Sequence, residues 1–237
     1  MFANDKRLHP TLCLRLRRRG DEIMSLGLRR ILCISAVLAF SMQFNSTSMA
    51  QSNTEWLKCL GLEGPIVDTV IDGCTAVIQS GREPRERLAT AFDNRGVAYR
   101  RKGEYDRALQ DYEQAITLNP SSATAYNNRG IIYRIKNEYA RAIADYDEAI
   151  WLKNGDYPAA YYNRALAYAD KGEYELSLRD FDVVMRFNPR NALALYARGL
   201  TLLRKGDTQA GKNDISAAKA INPDIAEQFD HSESPSR

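Results

Sequence analysis

A six-residue segment recurs four times along this chain of 237 residues, at an almost constant interval. The copies begin at Asn94, Asn128, Asn163 and Ala197, so the intervals are 34, 35 and 34 residues. Their sequences are NRGVAY, NRGIIY, NRALAY and ARGLTL. A fixed period in this range is typical of solenoids, in which each repeat buries its apolar face only against neighbouring repeats. The period therefore predicts four consecutive copies of one small structural unit.

Each copy lies in a unit with the hydrophobic pattern of two helices joined by a short polar turn. In the first unit, Phe92, Gly96 and Tyr99 share one helical face, and residues 102–104 then interrupt the pattern. Apolar residues resume at Tyr105 with spacings of three and four. The four units thus predict helix pairs at 89–102 and 105–118, 123–136 and 139–152, 158–171 and 174–187, and 192–205 and 208–221.

Small residues recur at the points where the paired helices are expected to cross. They are Gly96, Gly130, Ala165 and Gly199 on the first helices, and Ala108, Ala142 and Ser177 on the second helices. A larger side chain at these points would force the two helices apart. The space that the small residues leave is expected to be filled by an aromatic column of Tyr112, Tyr146 and Phe181.

These recurring residues resemble the tetratricopeptide-repeat (TPR) family, whose pattern runs aromatic, Gly, Tyr, Ala, aromatic, Ala and Pro within one repeat. The resemblance covers about 89–223. It departs from the pattern at Asn154, which replaces a closing proline, at an insertion within 155–157, and at Leu202 and Ile215, which replace aromatic residues. The resemblance implies an all-α fold, a right-handed α-solenoid of helix-turn-helix units. The implied repeats span 89–122, 123–157, 158–191 and 192–223.

Both ends of the repeats are expected to be capped. Residues 51–88 resemble a degenerate helical unit, with Trp56, Leu57 and Leu60 on one short helix, a turn at 61–65, and an apolar series from Val67 to Ile78 on a second helix. Residues 224–237 are expected to form a short capping helix that covers the last repeat, followed by a disordered polar tail.

Cys59 and Cys74 would lie on the two antiparallel helices of the N-terminal unit, on either side of its turn. In an oxidising compartment they would form a disulfide that closes a loop of about 15 residues and contributes on the order of 3 kcal/mol. The alternative is a pair of buried free thiols.

The first fifty residues have the features of a secretory signal peptide. Two arginines precede an apolar run at 32–42, and the small residues at 48–50 suit cleavage before Gln51. The chain is therefore expected to be exported, most simply to the periplasm. The alternative is an uncleaved inner-membrane anchor. We favour cleavage, because the apolar run is shorter than the roughly 20 residues of a membrane-spanning helix. Residues 1–23, ahead of Met24, are interpreted as an over-extended start or as a basic targeting arm.

The composition argues against several classes of function. Residues 1–50 contain 8 Lys and Arg against 3 Asp and Glu, which leaves 25 basic and 27 acidic residues in 51–237, without the basic surplus of a nucleic-acid-binding protein. Both histidines, His9 and His231, lie outside the repeats, and the sequence has no phosphate loop, dinucleotide-binding motif or C-x-x-C pair. We therefore predict a non-enzymatic protein with no catalytic, cofactor or metal site and no small-molecule substrate.

Two charged columns recur in step along the repeats. An arginine of each first helix is followed 16 residues later by an aspartate of the second helix, in the pairs Arg95 and Asp111, Arg129 and Asp145, Arg164 and Asp180, and Arg198 and Asp214. One interpretation is a row of arginines that binds acidic peptides. We favour structural ion pairs, because a partly buried arginine in a column usually filled by leucine needs a carboxylate.

An asparagine column immediately precedes these arginines. First helices line the concave groove of TPR superhelices, so the resemblance implies that Asn94, Asn128 and Asn163 bind the backbone of an extended peptide through their donors and acceptors. The alternative is local hydrogen bonding within the solenoid. Further candidates are the groove-side residues Asn127, Tyr162 and Tyr196, and the arginines at the ends of first helices, Arg100, Arg101, Arg134 and Arg204, which are otherwise ordinary solvated charges.

These features predict an exported scaffold or adaptor that binds a protein or peptide segment on its concave groove, with cell-envelope assembly as one setting. The alternatives are a self-associating structural spacer and a membrane-anchored TPR protein with an uncleaved signal. The identity of the partner does not follow, because solenoids of one architecture bind unrelated ligands.

Overall fold

The computed structural model describes residues 53–62 and 66–233, so the predictions for 1–50 and for the end of the tail lie outside the described residues. Within these ranges the chain forms eleven helices and no strand. They are α1 (53–59), α2 (Val67–Ser80), α3 (Arg85–Arg101), α4 (Tyr105–Leu118), α5 (Ala123–Ile135), α6 (Tyr139–Leu152), α7 (Pro158–Lys171), α8 (Tyr174–Phe187), α9 (Ala192–Lys205), α10 (Thr208–Ile221) and α11 (Ile225–Glu233). None of the described helices has the length and apolarity that a membrane span requires.

The helices pack in the order that the repeat predicts. The pairs α3 and α4, α5 and α6, α7 and α8, and α9 and α10 pack against each other, and each second helix also packs on the first helix of the next pair. Helix α2 packs on α3, and α11 packs on α9 and α10. The predicted all-α solenoid with a helical cap at each end is therefore confirmed.

Local sequence signals account for several helix starts. Helix α3 begins at Arg85, four residues before the predicted start, directly after Pro84, whose missing N–H is not needed there. The side chains of Ser122 and Asn191 begin α5 and α9 by accepting a hydrogen bond from a backbone N–H of the first turn. Helix α7 begins with Pro158 in its first turn, where the fixed φ of proline suits a helix.

The small and aromatic columns interlock as predicted. A Cβ atom added at Gly96 would lie 2.7 Å from the ring of Tyr112, and one added at Gly130 would lie 2.7 Å from the ring of Tyr146. Both rings, together with that of Phe181, are fully buried. Each aromatic side chain thus occupies the space that a small residue on the facing helix provides.

A disulfide joins Cys59 and Cys74, and both residues are buried in the N-terminal unit. Trp56 packs into the same apolar cluster, whereas Leu57 is exposed and Leu60 is exposed in the turn after α1. The reason is geometric: a helix of two turns presents one narrow side to its neighbour, and Trp56 and Cys59, three residues apart, occupy that side.

Candidate binding groove

Four arginine–aspartate pairs connect the two helices of each repeat. In every pair the guanidinium donates two hydrogen bonds to one carboxylate, through Nε and Nη2. The distances are 2.8 and 2.8 Å for Arg95 and Asp111, 2.8 and 2.8 Å for Arg129 and Asp145, 2.7 and 2.8 Å for Arg164 and Asp180, and 2.7 and 3.0 Å for Arg198 and Asp214. These guanidinium groups are engaged inside the repeats, so we do not assign them to ligand binding.

Two of these arginines also contact the preceding repeat. Nη1 of Arg164 donates to Asp147 on α6, and Nη1 of Arg198 donates to Asp182 on α8 at 2.7 Å. We did not predict these two carboxylates, although a sequence signal existed: each lies two residues after an aspartate of the repeated column. The arginine column therefore connects neighbouring repeats as well as paired helices.

The asparagine column forms a hydrogen-bonded ladder from one unit to the next. In each case Nδ2 donates to the preceding unit: Asn94 to the carbonyl oxygen of Cys59 at 3.2 Å, Asn128 to Oδ1 of Asp93 at 3.1 Å, and Asn163 to Oδ1 of Asn127 at 2.9 Å. These bonds are the local hydrogen bonding that we named as the alternative to peptide binding. Across the described part of the chain, Oδ1 of these three asparagines accepts no hydrogen bond. Each amide is thus held in place and keeps an acceptor.

Two residues beside the asparagine column support this ladder. Asn127 is only 6% exposed, and because its Oδ1 accepts the hydrogen bond from Asn163, it is poorly placed to contact a partner. Asp93 accepts the hydrogen bond from Asn128. Burial raises the pKa of the Asp93 carboxyl above its ordinary value, and the hydrogen bond from Asn128 opposes that effect.

The two candidate tyrosines pack against other aromatic rings. The ring centroids of Tyr162 and Phe181 are 5.9 Å apart in an edge arrangement. Those of Tyr196 and Phe229, on α11, are 5.4 Å apart. Both tyrosines are half-buried, so each exposes only part of its ring to solvent. The contact with α11 further reduces the surface of the Tyr196 ring that a partner could reach.

An open cleft of about 270 Å³ lies between the first helices of the last three repeats and α11. Its apolar wall consists of Leu166, Leu200 and Phe229, and its polar wall includes Arg134, Asp170 and Arg204. Ala197, which has the asparagine position in the fourth repeat, also lines the cleft. The cleft therefore lies on the side of the solenoid that the asparagine ladder follows. We refer to it as the groove cleft.

Asp170 is shared by two arginines from different repeats. Nη1 of Arg134 donates to Oδ2 of Asp170 at 2.9 Å, and Nη1 of Arg204 lies 3.7 Å from Oδ1. The two guanidinium groups thus converge on one carboxylate at this wall. The side chain of Arg204 is 55% exposed, so it is accessible to an acidic group of a ligand.

The sequence matches three models of the same family. A TPR repeat model matches residues 96–134, and two tetratricopeptide repeat models match residues 123–156 and 162–211. This chain is a tetratricopeptide-repeat protein. No curated protein matches it.

Solved TPR structures share the fold of this TPR protein at low sequence identity. The crystal structure of MamA is 23% identical with a TM-score of 0.57, over 68% of this chain and 91% of that chain. PilW, described as a widely conserved type IV pilus biogenesis factor, is 20% identical with a TM-score of 0.64, over 72% and 77% of the two chains. A tetratricopeptide repeat protein from Parabacteroides merdae is 19% identical with a TM-score of 0.58, over 76% and 72%. These likenesses show that this TPR protein has the α-solenoid fold of other TPR proteins.

Proposed function

We propose that this TPR protein is an exported adaptor that holds an extended segment of a partner protein along its concave groove. The groove cleft carries the proposal, because it combines an apolar wall that includes Leu200 and Phe229 with the accessible guanidinium of Arg204. An apolar side chain of the partner would occupy the cleft, and an acidic group beside it would pair with Arg204.

The asparagine ladder supports an extended ligand. The Nδ2 hydrogen bonds of Asn128 and Asn163 hold both amides in one orientation. Their Oδ1 atoms would accept hydrogen bonds from backbone N–H groups of the partner. Such bonds do not depend on the side chains of the partner, so specificity would come from the groove cleft.

Site-specific photocrosslinking in the native host tests this assignment. A benzoylphenylalanine at position 200, in the groove cleft, is compared with one at Gln110, an exposed residue of α4. We expect one protein to be crosslinked at 200 and not at 110, through a segment that mass spectrometry locates, and we expect Arg204→Glu to reduce the yield. Equal crosslinking at both positions, or none at 200, would contradict the proposal.

Periplasmic export is the localisation that we propose, with an inner-membrane anchor as the alternative. The apolar run at 32–42 and the small residues at 48–50 support export, and the disulfide of Cys59 and Cys74 suits an oxidising compartment. A role in cell-envelope assembly is in line with the description of PilW. Mass spectrometry of the periplasmic fraction is expected to find a protein that starts at Gln51. An intact chain in the membrane fraction would establish the anchor instead.

A self-associating spacer is the second candidate, and exposed apolar residues of the N-terminal unit favour it. Leu62 and Ile66 are 68% and 65% exposed, and Leu57 and Leu60 are exposed nearby in the sequence. Light scattering over a range of concentrations tests this function. A dimer that dissociates when Leu62 and Ile66 are both changed to Glu would support it, whereas a monomer at every concentration would exclude it.

A further inference from the structure

In the first repeat, an arginine of the second helix covers a tyrosine of the first helix. The guanidinium of Arg107 lies 4.0 Å from the ring centroid of Tyr99, and its Nη2 donates to the tyrosine hydroxyl at 2.6 Å. Nη1 of Arg107 donates to the carboxylate of Glu104 at 2.6 Å. The second repeat reproduces the arrangement with Arg141, Tyr133 and Glu138, at 3.9, 2.6 and 2.6 Å. A tyrosine ring and a glutamate thus form a guanidinium site twice in this chain.

The third repeat keeps the tyrosine and the glutamate of this site but not the arginine. Tyr168 and Glu173 have the equivalent positions, and Leu176 stands where the first two repeats have arginine. A leucine has no hydrogen-bond donor and no charge, so Leu176 cannot bond the hydroxyl of Tyr168 or pair with Glu173. In the third repeat Glu173 pairs with Nζ of Lys171 at 2.7 Å, and the guanidinium of Arg164 lies 5.9 Å from the ring centroid of Tyr168. The position that Arg107 and Arg141 take in the first two repeats therefore holds no guanidinium in the third.

An open cleft of about 580 Å³ lies at this position, and we call it the tyrosine cleft. Its walls are Tyr168, Leu176, Trp151, Ile150, Asp147, Asp180, Arg164 and Arg179, none of which lines the groove cleft. Trp151 is 71% exposed, and the equivalent residue of the first repeat is Thr117. Trp151 of the second repeat and Leu176 of the third thus line one cleft with Tyr168, which is partly exposed, whereas Tyr99 and Tyr133 are buried beneath their arginines. Exposed aromatic side chains of this kind bind cations and serve as interface anchors.

We propose that the tyrosine cleft binds an arginine side chain of a partner protein. The incoming guanidinium would stack on Tyr168 and share Glu173 with Lys171, as Arg107 stacks on Tyr99 and shares Glu104 with Lys102. Asp147 is half exposed at the wall, and its carboxylate accepts a hydrogen bond from Arg164. The charge of Arg164 is offset by its bonds to Asp180 and Asp147. Arg179 also lines the cleft, and its positive charge would repel an incoming guanidinium. An apolar side chain is the rival occupant, and the test separates the two.

Tryptophan fluorescence detects occupancy of the tyrosine cleft. The chain contains two tryptophans, so the conservative Trp56→Phe change leaves Trp151 as the only reporter. We expect N-acetyl-arginine amide to change its fluorescence in a saturable way in the millimolar range, and N-acetyl-norleucine amide, which matches the aliphatic part of arginine, to give no saturable change. An equal or stronger response to the norleucine compound, or the absence of saturation with the arginine compound, would overturn the proposal.

Variants at the cleft provide the matched controls. Leu176→Arg restores the arrangement of the first two repeats and is expected to abolish the saturable response while circular dichroism stays unchanged. Leu176→Ala leaves the site open and is expected to retain the response, and Arg179→Gln is expected to strengthen it by removing a like charge. Retention of arginine binding in Leu176→Arg would overturn the proposal. Arg204→Glu, which tests the groove cleft, is expected to leave this response unchanged, so the two proposals fail independently.

Discussion

Asp145 is a carboxylate whose burial depends on a single guanidinium. It is 6% exposed and accepts two hydrogen bonds of 2.8 Å from Arg129. We expect Arg129→Ala to lower the free energy of unfolding by roughly 1 to 3 kcal/mol, because the change leaves a buried acceptor without its donors. Denaturant titration measures the loss. Arg179→Ala, at an exposed arginine of α8, serves as the control and should change stability by less than about 0.5 kcal/mol. An unchanged midpoint for Arg129→Ala would refute the structural role of the pair.

Ionisation of the Asp93 carboxyl makes the stability of the fold depend on pH. Burial raises the pKa of its carboxyl above the ordinary value of 3.8, so ionisation of this group opposes folding. The penalty is absent well below the ordinary value, grows as the pH rises past it, and is complete once the pH exceeds the raised pKa. Asp93→Asn removes the charge and keeps an oxygen that can accept the hydrogen bond from Asn128.

We therefore expect Asp93→Asn to raise the melting temperature at pH 7 and to have little effect near pH 3, where the wild-type carboxyl is protonated in both states. Scanning calorimetry at the two pH values measures the difference. Asp106→Asn, at an exposed aspartate, is the control. A lower melting temperature for Asp93→Asn at pH 7 would show that the charged form stabilises the fold.

At the scale of the element, α11 protects the apolar end of the fourth repeat. Ile225 is fully buried and packs with Leu195 and Ala218. We expect Ile225→Ala to lower the free energy of unfolding by about 2 to 4 kcal/mol, since it removes buried methyl groups and leaves a cavity. Ile221→Ala, four residues earlier and on an exposed surface of α10, should cost less than about 1 kcal/mol. Equal losses in the two variants would mean that α11 does not cap the solenoid.

At the scale of the whole molecule, each unit packs mainly on its neighbours, so stability is expected to be local. Reducing the disulfide of Cys59 and Cys74 should remove about 3 kcal/mol from the N-terminal unit, whose loop it closes. Hydrogen exchange after reduction is expected to rise within 53–80 and to stay unchanged in α6 to α8. A uniform rise along the chain would show that the solenoid unfolds as one cooperative unit.

Most of the fold could be predicted from the sequence because a repeat encodes its structure locally. Helices α6 to α10 begin and end at the predicted residues, since glycine, asparagine and proline mark the same turns in each unit. The arginine–aspartate partners were predictable too, because two columns that recur in step at one spacing lie on the same pair of helices. The start of α3 was placed too late because the family pattern begins inside that helix.

The sequence by itself determined the period, the helix pairs and the buried columns of small and aromatic residues, because these features recur at the same positions of successive units. Only the tertiary structure decided how residues of different repeats meet: the asparagine ladder, the sharing of Asp170 by Arg134 and Arg204, and the opening at Tyr168. These contacts depend on how neighbouring units stack. The ladder asparagines recur, but the groups that accept their hydrogen bonds differ from one unit to the next, and the residues at the positions of Asp170 and Leu176 also change, so no recurring pattern predicts these contacts. The binding surfaces that we propose lie where these irregular contacts occur.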